Sequence, residues 1–109
     1  MEINLEEVMP SDRISIKTEN SLYYFSVLEP EQRKGILTGG TLGNQQREAV
    51  LMSSLEGSGR EGTNAFTVLK TGARALFFMT AKNGFERLIT SVITQISLLK
   101  KEGDARHAA

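Results

Sequence analysis

The sequence predicts an all-β fold, a small antiparallel β-barrel of about six strands with a short N-terminal helix. Three observations carry this. First, Asn83-Gly84 lies between two apolar runs, Ala73–Met79 and Leu88–Ile96. Asn-Gly suits a two-residue type I′ turn, whose central residues both need φ > 0, so a long hairpin is expected. Second, Arg13–Thr18 alternates strictly between polar and apolar residues, as a half-buried strand does. Third, further short apolar runs recur at regular spacing with turn residues between them, which argues for a barrel or a sandwich. Closure removes exposed edges from so small a sheet and favours the barrel.

Asn4 can cap a helix through Leu5, Glu6, Glu7 and Val8, with the acids facing the positive end of its dipole, and Pro10 stops it. Pro10-Ser11-Asp12 turns the chain into the Arg13–Thr18 strand, with Ile14 and Ile16 inward. Glu19-Asn20 turns again, into Ser21–Leu28, a run apolar on both faces. Pro30 sets φ at the second position of the Glu29–Gln32 turn. Gly35–Thr38 is the third strand and Glu48–Leu55 the fourth. Glu56–Asn64, rich in glycine and charge, reads as a mobile loop. In the closing hairpin the turn sets Lys82 opposite Phe85, Met79 opposite Leu88, Phe77 opposite Thr90 and Ala75 opposite Val92.

A chain of 109 residues is expected to form one domain over 1–99, with 100–109 as a flexible polar tail. There are no cysteines, which excludes disulfides, thiolate-bound zinc, iron–sulfur clusters and a thiol nucleophile, and fits a cytoplasmic location. No apolar run approaches the roughly 18 residues of a membrane span, and the acidic amino terminus is unlike a signal peptide. Thirteen basic residues balance thirteen acidic ones. That balance disfavours nucleic acid as a partner and leaves little self-repulsion to oppose association.

No motif points to catalysis. Gly57-Ser58-Gly59-Arg60-Glu61-Gly62 has the spacing of a dinucleotide-binding loop. An extended Thr63–Val68 follows it instead of a helix, and no acid stands about 20 residues on, so a plain loop is expected. Gly39-Gly40-Thr41-Leu42-Gly43 lacks the Gly-Lys-Ser/Thr of a nucleotide P-loop and suits a barrel corner better than a phosphate nest. The only histidine, His107, lies in the polar tail, where a general base would not be held against a substrate. Glu19, Glu48 and Glu86 fall on solvated faces or turns, and no cluster suggests a metal. No cofactor and no metal are expected. Tyr23-Tyr24-Phe25 invites a base-stacking reading, but neighbouring strand residues point to opposite faces, so packing is the simpler reading.

The segments Thr18-Glu19-Asn20-Ser21-Leu22-Tyr23 and Thr90-Ser91-Val92-Ile93-Thr94 resemble paired segments of small, uncharacterised bacterial β proteins. The two segments that carry the resemblance make up about a tenth of the chain, and the resemblance implies a bacterial barrel-like domain and brings no named function. Physically, hydroxyls inside strands bond neighbouring backbone where strands bend or bulge.

The expected function is a non-enzymatic binding or scaffold module that self-associates, with a homodimer as the first expectation. Strands apolar on both faces leave one face needing cover. Tyr23, Phe78, Ile89 and Ile93 are the candidate contacts. The alternative is an RNA- or DNA-binding barrel using Lys17, Tyr23, Arg33, Lys34, Arg47, Arg74 and Arg87.

Overall fold

The computed structural model describes residues 2–55, 64–65 and 68–100. The expected tail 100–109 lies outside them except for Lys100, the expected loop 56–64 except for Asn64, which stands in a strand, and the glycine motif at 57–62 lies wholly outside them. Among the described residues ten strands follow one another: β1 (Glu2–Asn4), β2 (Arg13–Thr18), β3 (Leu22–Glu29), β4 (Lys34–Gly39), β5 (Arg47–Leu55), β6 (Asn64–Ala65), β7 (Val68–Lys70), β8 (Arg74–Ala81), β9 (Gly84–Ile89) and β10 (Ile93–Leu99). The main sheet is antiparallel in the order β10-β2-β3-β4-β5-β8-β9, with β6 beside β5, and β1 and β7 form a second, two-stranded sheet.

The all-β class holds, but the expected closed barrel does not. The last expected strand breaks at Thr90–Val92 into β9 and β10, and the two go to opposite edges of the sheet. Thr90 makes the break. Its Oγ1 accepts from the Ala75 amide at 3.0 Å and donates to the Ser91 carbonyl at 2.8 Å, so a side chain replaces ladder bonds. The curled sheet meets itself at one corner only, where the Ile93 amide donates to the Ala73 carbonyl and the Gly72 amide to the Ile93 carbonyl, each at 2.8 Å. No ladder continues from there to close it.

The N-terminal helix is also absent. Asn4 does cap, its Oδ1 accepting from the Glu6 amide at 2.9 Å, but only the single 3-10 turn Leu5–Glu7 follows. Ile3, Leu5 and Val8 are all buried, and Val8 is already extended. Packing these three inward overrides a helix too short to repay its nucleation.

The hairpin turn sits one residue earlier than expected, so the cross-strand pairing slips by two. Lys82-Asn83 is the loop, Ala81 pairs with Gly84, Met79 with Glu86 and Phe77 with Leu88. Gly84, at φ 128, is the one residue of the turn with positive φ. A slip of two keeps every side chain on its face. Ala75, Phe77 and Met79 therefore point inward as expected, while Leu76, Phe78 and Ile89 point outward.

The concave face holds the core: Ile14, Ile16, Phe25, Leu37, Leu51 and Phe77 are almost fully buried. Phe25 and Phe77 meet across it at 5.4 Å between ring centroids, tilted by 54°. Tyr23, read as a possible surface contact, is 3 % exposed, its ring packed against Gly40 at φ 52. The 39–43 glycine cluster is thus a strand corner shaped around a tyrosine.

Candidate functional site

The convex face of the sheet divides in two. Over β2 and β3 it is polar: Arg13, Ser15, Lys17, Tyr24 and Ser26 alternate with the core residues, and the Arg13 guanidinium lies 4.4 Å above the Tyr24 ring. Over β4, β5, β8 and β9 it is apolar. Cross-strand pairing sets Lys34, Val50, Phe78 and Arg87 in one row. Leu76 and Ile89 pair in the next, and Ile36 faces Glu48 on the other side. Met52 joins the strip from a bulge, since Leu51 and Ser53 of β5 oppose consecutive residues of β8. Val50, Met52, Leu76 and Phe78 are half-buried, Ile89 is 45 % exposed and Phe85, beside the hairpin turn, 74 %. The rim is charged: Lys34 and Glu48 pair at 3.6 Å on one side, and Arg87 stands on the other.

Two of the four expected self-association residues, Phe78 and Ile89, lie on this strip. Tyr23 and Ile93 do not, being 3 % and 1 % exposed in the core. The break at Thr90 reverses the facing expected for Ile93. Sequence reading missed Ile36, Val50, Met52 and Phe85, and it put Leu76 on the face of Phe78 and Ile89 without counting it among the contacts. The alternation within β5 carried a signal for Val50 and Met52, but only strand order shows that the four strands are neighbours.

The residues proposed for nucleic acid share no patch. Lys17 is on the polar half, Arg33 in a turn, and Lys34 is paired with Glu48. Arg47 lies at the sheet end, donating to the Thr80 carbonyl at 2.8 Å and to Glu86 at 2.9 Å. Arg74 reaches the Thr90 carbonyl at 3.4 Å, Arg87 projects from β9, and Tyr23 is buried.

A second surface feature lies between the Leu5–Glu7 turn with the loop after it and the Pro30–Gln32 3-10 turn. It is a groove of about 500 Å³ floored by Val8, Met9, Pro10, Leu28 and Pro30, with Glu6, Glu29 and Glu31 on its lip. The loop forming one wall is held firmly. Asp12, 1 % exposed, accepts from the Met9 amide at 2.9 Å and from Lys100 Nζ at 3.0 Å, and the Ser11 amide donates to the Val27 carbonyl at 2.8 Å. Among the described residues no three histidine, aspartate or glutamate side chains gather as a metal site would need, and no helix is long and apolar enough to cross a membrane.

Comparison with protein-family models, with curated proteins and with solved structures finds no match to this chain. The class it belongs to is therefore stated by its geometry: an all-β protein built on one open, curled antiparallel sheet and a two-stranded companion.

Proposed function

We propose that this protein is a non-enzymatic binding or scaffold module that self-associates through the apolar half of its convex face. One observation carries the reading: the strip of Val50, Met52, Leu76, Phe78 and Ile89 is contiguous across three neighbouring strands, with Ile89 exposed and the other four half-buried. Contiguous apolar area on a protein surface marks an interface far more often than scattered apolar residues do. A twofold homodimer is the simplest occupant. A cytoplasmic, bacterial setting is part of the same proposal, resting on the absence of cysteine and on the two resembling segments.

Sedimentation of the full chain over a range of concentrations tests this. Wild type is expected to be dimeric, and both Phe78→Glu and Ile89→Glu are expected to shift it to monomer. Ile89, the more exposed, supplies the variant whose folding is least at risk. A wild-type monomer at the highest soluble concentration ends the proposal, as does a folded Ile89→Glu dimer of unchanged stability.

A further inference from the structure

We propose that the groove between the Val8–Ser11 loop and the Leu28–Gln32 turn binds a peptide segment in which bulky apolar side chains alternate with lysine or arginine. It lies apart from the convex strip, and its argument is independent of self-association. Three backbone irregularities converge on it. Leu28 is the extra residue of a bulge, because Val27 and Glu29 of β3 pair with the consecutive Gly35 and Lys34. Bulges re-aim side chains, and here the re-aimed side chain lines the groove while remaining 49 % exposed. Ser11 at φ 77 and Arg33 at φ 55 are the non-glycine residues with positive φ among the described residues, and each directly follows a residue that lines the groove, Pro10 and Gln32. A conformation disfavoured for side chains with a Cβ persists only where the surroundings enforce it, and such sites cluster at binding surfaces.

The enforced backbone holds apolar groups out to solvent. Met9 is 58 % exposed although its amide and carbonyl are both bonded to Asp12. A loop that rigid presents a preformed surface, so a ligand has little ordering entropy to offset on the protein side.

Charge selects the ligand. Glu6, Glu29 and Glu31 project around the apolar floor, and none has a cation within ion-pair distance among the described residues. Arg33 is the cation on the adjoining lip, beside Leu5 and Pro30. Three carboxylates against one guanidinium repel phosphate-bearing ligands, which sets aside nucleic acid and anionic lipid. They attract an apolar side chain flanked by ammonium or guanidinium groups.

The test titrates the isotope-labelled full chain with the synthetic peptide Lys-Leu-Lys-Leu-Lys and follows backbone amide shifts. Parallel titrations use the peptide with glutamate for lysine and the peptide with alanine for leucine. Expected are shifts centred on Met9, Ser11, Leu28 and Glu31 with the first peptide alone, weakened by added salt. Glu29→Gln and Glu31→Gln should each weaken binding roughly two- to fivefold, as exposed ion pairs do. Leu28→Asp should weaken it by about tenfold or more. The amide spectrum of each variant without peptide reports that it is folded. The proposal is overturned if no probe shifts these amides, if acidic and basic peptides bind alike, or if the shifts fall on β8 and β9. It is equally overturned if Leu28→Asp abolishes a concentration-dependent mass, because the occupant would then be a second copy, with Phe85 between Lys82 and Arg87 as its natural probe.

Discussion

Gly40 and Gly84 both have positive φ, yet their surroundings separate them. A Cβ on Gly40 would run into the Tyr23 ring, whereas one on Gly84 would meet nothing within 4 Å. Gly84→Val therefore incurs the backbone strain alone, about 1–2 kcal/mol. Gly40→Ala adds displacement of a buried aromatic ring and should cost roughly 1–3 kcal/mol beyond the same strain. Urea unfolding of the two variants should rank Gly40→Ala as the more damaging, and the reverse order would mean that Tyr23 moves aside freely. Thr18 is a second residue whose partners decide its worth. Its Oγ1 accepts from the Asn20 and Ser21 amides at 3.3 and 3.0 Å and from Ser91 Oγ at 2.9 Å, and it donates to the Ser21 carbonyl at 3.2 Å. Thr18→Val keeps the shape and strands these groups, so a loss of about 1–3 kcal/mol is expected. A double-mutant cycle with Ser91→Ala should show a non-additive term, since the two share a bond.

At the scale of elements, β2 matches its expected span of Arg13–Thr18 because a strict alternation leaves little freedom. The strands β3, β4, β5 and β8 lie within two residues of their expected ends. What failed to show was the strand break set by a hydroxyl bonding to backbone. Thr90-Ser91 reads as strand by composition and acts as a turn because its hydroxyl takes over ladder bonds. The two segments noted for their hydroxyls, 18–23 and 90–94, prove to be spatial neighbours, joined by Ser91 to Thr18 and by the Glu19 amide to the Val92 carbonyl at 3.0 Å. The candidate site was legible in part. Phe78 and Ile89 followed from the period of the hairpin, but Ile36 and Val50 needed strand order, and the groove needed two turns far apart in sequence. The hairpin also yields a test of facing: Phe77→Ala should cost about 3–5 kcal/mol as a buried deletion. Phe85→Ser, on a side chain 74 % exposed, should change monomer stability by less than about 0.5 kcal/mol. A larger loss for Phe85→Ser than for Phe77→Ala would mean the hairpin faces are reversed.

At the scale of the whole molecule, one face of the curled sheet carries a polar half and an apolar half side by side, and the acid-lipped groove lies apart from both. The strand β10 is what completes the sheet. β2 is paired on one side with β3, only a few residues away, but on the other side with β10, where Ile93 meets Thr18 and Leu99 meets Arg13. These contacts join nearly opposite ends of the described chain, and loops that long close late in folding. During synthesis β2 must then wait, with one row of amides and carbonyls uncovered, until β10 has been made. For that interval the newborn chain carries a sticky margin that the folded sheet hides, and its time of greatest exposure to misassembly falls before β10 emerges.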